Sequence, residues 1–558
     1  NTSGAIFDYR RKYLPSEQTR YHCPPRFKEE TIGEIQKEAE RLFKAAGLRD
    51  FVRIDGWVSK EGVIRFSDLN PISGMEQNSF LFQQAAAIGF SHTEMIEYIL
   101  AGALQRFGKS KLTRRFSGSE QKREPVYILM GGDTSERQVS LMSGTNVWLK
   151  LLQGSKYAPI PFLLTGEEIW ELPYAFALHH TVEEVKEHCQ KGQKWLNQIL
   201  PWVQVIRKNL GLTPLSLPEH PQQMTLPTWI EKVKKTDAFV FLGLHGGQGE
   251  DGTLQKELET QGISFNGSGS IASQLCMDKH KTALCIEALQ DPLILAMPQI
   301  SFIASSLFNK SLKELNQFWT RAALHFGTDT LIVKPQCDGC STGVVCLHNG
   351  LDLFRYIECL CKTLRQAPIG TFKDQSSPIE MPLSAAHPFL LEPFIQTDQI
   401  QIFETEISRK IVTGWCEMTI AVLETEGRYL ALNPSMTVAA AQVLSVEEKF
   451  QGGTGINITP PPDSILSTET LAQVQRGSCL VAKALGIQGY ARLDLFVECS
   501  SGKIRVIEAN TLPALTPSTV FYHQALSLLP PLFPKDLLAK IIEGAKCPVV
   551  KFFPAILK

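Results

Sequence analysis

Two hydrophobic periods run along this chain and change in a regular order. Alternation by two marks "VRIDGWVSKEGVIRFSDLN" (52–70) and "ARLDLFVECSSGKIRVIEAN" (491–510) as strand–turn–strand units. Near-continuous apolar runs at 125–132, 237–246, 331–335 and 389–395 predict buried strands, and 414–432 predicts longer ones. Spacing of three and four predicts helices over 30–47, from Ser91, and within 135–152, 252–262, 351–367 and 469–486. Strands followed repeatedly by helices predict an α/β fold. The basic, Ser/Gly-containing stretch "FGKSKLTRRFSGSEQKRE" (107–124) has no period and reads as a linker. The Pro- and Trp-rich 165–235 reads as an elaboration of the domain that starts at 125.

The two strand–turn–strand units are copies of one pattern. Arg53-x-Asp55 with Asp68-x-Asn70 repeats as Arg492-x-Asp494 with Glu508-x-Asn510. A second stretch, "RRKYLPSEQTRYHCPP" (10–25), pairs with "EEKFQGGTGINITPPP" (447–462) at nearly the same interval, Lys12 falling on Lys449. Two anchors at one interval indicate a duplicated module. The expected order is the tail of one module (1–105), a linker (106–124) and one complete module, divided at 125–275, 276–395 and 396–548.

Composition narrows the classes. A length of 558 residues exceeds a single core, and 43% hydrophobic with 20% charged residues is ordinary for a globular protein. The net charge of -1 gives no electrostatic case for nucleic acid or an anionic membrane, and no apolar run approaches a bilayer span. The 13 cysteines have no disulfide framework; "CDGC" (337–340) lacks the second pair a zinc site needs.

The chemistry concentrates in a few stretches. On a strand, residues two apart share a face. Pairing therefore gathers Arg492, Asp494, Glu508 and Asn510, a guanidinium beside two carboxylates and an amide. Oxygen ligands of this kind suit Mg²⁺ together with phosphate; a salt-bridged β-face is the plainer alternative. "KPQCDGCSTGV" (334–344) puts Lys334 at a strand end before a small-residue loop, where backbone N–H groups can approach phosphate. "GLHGGQGEDGTLQ" (243–255) places His245, Glu250 and Asp251 ahead of a helix, either at an anion site or as caps. Lys279 in "MDKHKTA" looks by itself like a surface lysine.

Taken in order, "GG-TSER-VS", "LHG-x3-EDGTLQ", "GSGSxASxxxMDK", "VKP-x3-G-x-S-x-G", "LEPFI", "ARLD" and "IEANTxP" resemble the D-alanine–D-alanine ligase family of ATP-grasp enzymes across 125–545, and 1–105 resembles the C-terminal portion of the same module. The tandem arrangement is similar to the plant homologues, N-terminally truncated. That likeness implies a plastid stroma as location, with cytoplasm the alternative. The resemblance implies an ATP-grasp fold, ATP and two Mg²⁺ (or Mn²⁺) ions, D-alanine as substrate, and a homodimer or intramolecular pseudo-dimer.

Residue by residue, the resemblance assigns Glu136 to the first substrate's ammonium and His245 to its carboxylate. It assigns Lys279, Lys334 and Lys449 to ATP phosphates, Glu392 and Ile395 to adenine, and Asp494, Glu508 and Asn510 to metal. Arg492 would steady the acyl phosphate, Ser341 lies on the phosphate side, and Thr519 would meet the second substrate. Four positions depart from the family pattern. Gln399 falls where a ribose-binding Glu is expected, Cys340 replaces a serine, Phe450 a tyrosine, and Ala514 a glycine. Phe450 implies an acceptor such as D-lactate as the alternative substrate; a degenerate module acting in binding or scaffolding is the alternative function. The first copy keeps Lys12, Tyr13, Arg53, Asp55, Asp68, Asn70, Gly74 and Ser79, without nucleotide lysines.

Overall fold

The computed structural model describes residues 21–109, 123–215, 219–339, 342–375, 377–382, 384–403, 406–438 and 456–546. They form two compact units, Asn1–Gly132 with Gly144–Lys232, and Asp133–Ser143 with Val233–Lys558. These units cut across the expected 125–275 domain. Among the described residues no helix is long and apolar enough to cross a membrane.

In the first unit, helix Glu29–Ala45 precedes the first hairpin, Arg53–Val58 with Ile64–Asn70. The hairpin is a two-stranded sheet by itself. Helix Phe80–Ala87 buries Phe82 and Ala85 to Ala87. Helix His92–Arg106 begins at Ser91 as expected: the Ser91 hydroxyl accepts from Glu94 N while the Glu94 carboxylate accepts from Ser91 N, a closed capping box. Strand Glu124–Gly131 pairs in parallel with Tyr157–Thr165, which continues antiparallel through Glu168–Glu171 to Gln222–Thr225. The elaboration holds helices Val182–Gln190 and Gly192–Asn209.

The first copy joins this elaboration through half-buried histidines. His92 Nδ1 lies 2.6 Å from the Tyr174 hydroxyl, and the ring nitrogens Nδ1 and Nε2 of His180 lie 3.1 Å from the Asn78 side-chain amide and 3.0 Å from that of Gln83. Burial lowers the pKa of His180 and of His188 to about 4, against smaller opposing effects of Glu76 and Glu187.

Two larger sheets dominate the second unit. In the first, Val345–Leu347, Leu331–Pro335, Pro388–Pro393 and Ile300–Ile303 lie side by side, all antiparallel. Helices Leu312–Phe326 and Gly350–Cys361 contribute Leu315, Leu353, Tyr356 and Ile357 to the core packed on it. The second sheet runs Arg428–Ala431, Trp415–Thr425, Tyr490–Glu498, Lys503–Asn510 and Ile294–Ala296. Alternation decides its faces. Met418, Ile420, Leu493 and Leu495 enter the core with Val474 and Val481 of helix Thr468–Ala484. Glu417, Thr419, Arg492 and Asp494 occupy the other face.

Candidate active site

The expected hairpin face forms. Arg492 pairs with Asn510 and Asp494 with Glu508, and a bulge follows Asp494. The Arg492 guanidinium grips Asp494 twice, Nε to Oδ1 at 3.1 Å and an Nη to Oδ2 at 2.8 Å. Asn510 Nδ2 reaches Asp494 Oδ2 at 3.4 Å, and Thr419 on the neighbouring strand donates to Asp494 Oδ1 at 2.8 Å. Burial works against the Arg492 charge, but Asp494, Glu508 and Glu250 outweigh it and raise its pKa.

Two cavities meet at this face, sharing Lys279, Asp338, Gly339 and Glu508 as a common wall. The larger, about 170 Å³, is lined by Lys334, Glu392, Phe394, Ile395, Glu417 and Asp494. The smaller, about 50 Å³, is lined by Glu136, His245, Glu250, Arg492, Asn510 and Ala514. Lys279 is buried, not the surface residue its local sequence suggests. Its Nζ donates to the Asp338 carbonyl at 2.6 Å and lies 3.5 Å from Glu508 Oε2. In the larger cavity Lys334 Nζ meets Glu392 Oε2 at 2.8 Å, both side chains nearly sealed from solvent, and Gln299 donates to Glu392 Oε1.

In the smaller cavity two glycines make room for Glu136: a Cβ on Gly246 would fall 2.6 Å from Oε2, and one on Gly339 2.9 Å. His245 is held between Ser143 Oγ (Nε2, 2.9 Å) and the Leu512 carbonyl (Nδ1, 3.0 Å). Burial lowers its pKa to about 4, which the Leu512 carbonyl opposes and Arg492 reinforces, so this histidine is neutral at pH 7. Glu250 is pushed the other way, to about 8. Enclosure is the main cause and the Glu136 carboxylate the next, against the Gly246 N–H, Arg492 and the Leu512 backbone. Thr519 caps helix Val520–Leu526, and its hydroxyl donates to the Ala514 carbonyl at 2.8 Å.

One expected residue is elsewhere. Gln399 is exposed on strand Gln399–Phe403, paired with Lys410, and does not line the larger cavity. The hairpin it starts, Gln399–Phe403 with Glu406–Lys410, stands between the Glu392 strand and strand Trp415–Thr425. It carries Gln399 away, while Glu417 lines the cavity beside Glu392, Asp494 and Glu508. Glu417 lies two positions before Thr419, the partner of Asp494, so strand alternation contained the signal. Of the acidic pair named with His245, Asp251 accepts from Thr253 N at the start of helix Thr253–Thr260, whereas Glu250 turns into the smaller cavity and accepts from Gly246 N. Cys340, Ser341, Lys449, Phe450, Lys12 and Tyr13 lie outside the described residues.

The first copy folds the same face. Arg53 pairs with Asn70 and Asp55 with Asp68, with the bulge again after the first aspartate, and Arg53 Nε donates to Asp55 Oδ1 at 3.0 Å. Asn70 here turns to Asp68, at 3.0 Å. A Cβ on Gly74 would meet the Glu76 carboxylate at 2.6 Å. Ser79 precedes helix Phe80–Ala87, and among the described residues it makes no side-chain capping bond and its buried hydroxyl has no hydrogen-bond partner.

A cleft in which lysines and paired carboxylates join a cavity of about 170 Å³ to a smaller polar one suits phosphoryl transfer. The family models described as "D-ala D-ala ligase N-terminus" and "D-ala D-ala ligase C-terminus" match residues 125–268, and residues 1–101 and 392–543, respectively. A D-alanine--D-alanine ligase of Leptospira biflexa is 30% identical over 292 residues, covering 52% of this chain and 67% of that protein. One from Leptospira interrogans is 24% identical over 409 residues, 72% of this chain and 92% of that protein. Among solved structures, D-alanyl-alanine synthetase A from Vibrio cholerae matches with a TM-score of 0.49 at 17% identity, covering 76% of this chain and 99% of that one. The chain belongs to the D-alanine–D-alanine ligase family. The C-terminal family model falls on both hairpin-bearing stretches.

Proposed function

We propose that residues 125–545 form an ATP-dependent ligase that joins D-alanine to D-alanine. The observation that carries this reading is the shared wall of the two cavities. Lys279 and Glu508 stand where a phosphate at the end of the larger cavity would meet an amino-acid carboxylate in the smaller one. Glu392 and Ile395 hold the adenine, Glu417 takes the ribose role that Gln399 does not reach, and Lys334 and Lys279 hold the phosphates. Glu136 accepts the ammonium of the first D-alanine, with neutral His245 beside its carboxylate. That carboxylate attacks the γ-phosphorus and ADP leaves. The amine of the second D-alanine then attacks the acyl phosphate, releasing phosphate and, from the amine, a proton. Arg492 neutralises charge growing on the transferred group, and the closeness of the two cavities supplies much of the advantage by positioning.

The donor set fits Mg²⁺. Asp494, Glu508 and Asn510 offer only oxygen ligands, and register places the two carboxylates opposite each other. They number fewer than the six oxygens of an octahedral site, so substrate phosphate and water would complete it. The bound ion would supply charge neutralisation of the phosphates. We assign residues 125–275, 276–395 and 396–548 as the module's three domains, and 1–105 as the C-terminal part of a second copy with the linker between them. The acceptor extends to D-lactate if Phe450 acts as the family pattern implies.

The test is D-alanine-dependent release of ADP and phosphate, with the dipeptide identified by mass spectrometry and D-lactate offered as rival acceptor. Asp494→Ala abolishes turnover under this reading. A wild-type protein that hydrolyses no ATP in response to D-alanine would refute it in favour of a non-catalytic module.

A further inference from the structure

His245 is braced on every side. Its ring meets Ser143 Oγ through Nε2 at 2.9 Å and the Leu512 carbonyl through Nδ1 at 3.0 Å. Its backbone is pinned as well: the N–H donates to Ser140 Oγ and the carbonyl accepts from Thr134 Oγ1, each at 2.9 Å. Ser140 and Ser143 lie three positions apart on helix Arg137–Leu152, so they share a face. The Ser143 hydroxyl has a second partner, the Leu515 N–H at 3.2 Å. Ser143, His245, Leu512 and Leu515 are all buried.

Hydrogen-bond chemistry fixes the direction of this chain. A carbonyl oxygen only accepts, so Nδ1 carries the imidazole proton. In the neutral ring Nε2 is then an acceptor, and Ser143 donates its one hydroxyl proton there. The Ser143 oxygen keeps a lone pair for the Leu515 N–H. The chain thus runs from Leu515 N through Ser143 and His245 to the Leu512 carbonyl, and it holds both ends of the Leu512–Leu515 loop. That loop carries Ala514 into the smaller cavity, and the Ala514 carbonyl accepts from the Thr519 hydroxyl. His245 therefore stands beside the first substrate's carboxylate with both ring nitrogens committed to the protein.

We propose that Ser143 is a positioning residue for the second D-alanine: through His245 and Leu515 N it sets the Leu512–Leu515 loop, and with it Ala514 and Thr519 at the acceptor end. This rests on the ligase reading above. Ser143 lines neither cavity, so it acts through the loop and not on a substrate. Losing its hydroxyl frees both ends of the loop at once and leaves the buried Leu515 N–H without that acceptor. The first D-alanine and the nucleotide, held by other elements, are spared.

The experiment compares two products made by the full chain from ATP and D-alanine. Dipeptide formation needs both amino-acid positions. D-alanyl hydroxamate needs only the first, because hydroxylamine replaces the second D-alanine: its nitrogen attacks the acyl carbon, phosphate leaves, and a proton passes to the buffer. Ser143→Ala is expected to raise the acceptor KM about tenfold, with hydroxamate formation and the ATP KM within about twofold of wild type. Ser143→Cys, similar in size but a weak hydrogen-bonding group, gives the same split and decides the matter if the alanine variant does not fold. Ser143→Thr keeps the hydroxyl and restores the acceptor KM. A folded Ser143→Ala or Ser143→Cys with a normal acceptor KM overturns the assignment, and so does an equal loss of both products. Nitrogen-15 spectra of the histidine-labelled wild type add a test that needs no variant: a proton on Nε2 of His245, with Nδ1 bare, breaks the chain and overturns it. If the wild type forms both products while these variants behave normally, only the role of Ser143 falls. If it forms neither, the ligase reading falls and this inference with it.

Discussion

Replacing Gly339 by alanine isolates the placement of one carboxylate. Gly339 does not have a left-handed φ, so alanine introduces no backbone strain there. Its Cβ would stand 2.9 Å from Glu136 Oε2 and 3.3 Å from Cδ. Ordinary contact needs about 3.4 Å or more, so the carboxylate retreats by about 0.5 Å. The obstructing atoms are the far end of a flexible side chain rather than backbone, so the expected stability change is within about 0.5 kcal/mol. The substrate is less tolerant. A charge-assisted hydrogen bond contributes about 1.5–3 kcal/mol, and losing roughly half of that raises the D-alanine KM about tenfold. Gly246→Ala presses the same atom from 2.6 Å, but at φ +69°. It therefore adds about 1–2 kcal/mol of left-handed strain and lowers the melting temperature as well. Coupled-enzyme measurement of ADP release at varied D-alanine and varied ATP, beside thermal melts of both variants, reads these effects apart. A normal D-alanine KM in Gly339→Ala would show that Glu136 does not hold the ammonium.

Other perturbations separate binding, chemistry and stability. Asp494→Ala lowers turnover by at least about a hundredfold, since it removes a partner of Arg492, Thr419 and Asn510 together; single-turnover kinetics checks it. Glu392→Gln leaves Lys334 without its buried counter-charge and costs about 3–5 kcal/mol in urea unfolding, part of which returns in the double variant with Lys334→Met. Glu417→Gln raises the ATP KM several-fold with little change for D-alanine, read from the same ADP assay. The histidine joint carries a pH signature. His180 and His188 titrate near 4 when folded and near 6.5 when unfolded, so the unfolded chain takes up their protons first as pH falls. Stability is full above about pH 6.5 and drains away toward pH 4. His180→Gln flattens that slope in melts taken across the range.

What could be read in the chain was mostly local. The Arg-x-Asp and acid-x-Asn pattern predicted both hairpins, because strand alternation alone puts those side chains on one face. Apolar spacing announced the helix from Ser91, whose capping box with Glu94 appears in the structure. Gln399 failed for a topological reason: counting forward from Glu392 assumes continuous chain, and the hairpin at 399–410 breaks that count. Glu417 becomes visible only once strand Trp415–Thr425 is paired with the Asp494 strand. For Glu250 and Asp251 the sequence left cap and anion site open, and only their different backbone partners, Gly246 N and Thr253 N, show the two acids dividing the work. Lys279 looked superficial because nothing nearby in sequence reveals that it faces Glu508, a contact across more than two hundred residues.

The duplicated hairpin also gives the protein an internal reference. Both copies have the same register and the same bulge, yet Tyr490–Glu498 and Lys503–Asn510 have strands on either side, while Arg53–Val58 and Ile64–Asn70 have only each other among the described residues. Leu493 and Leu495 are fully enclosed, whereas Trp57 is 57% exposed. A lone two-stranded ribbon opens at far lower free energy than the middle of a sheet. Amide hydrogen exchange should therefore run fast through 53–70 and slow through 490–510. The difference between matched amides measures what flanking strands and a core add to a geometry that the hairpin already holds by itself.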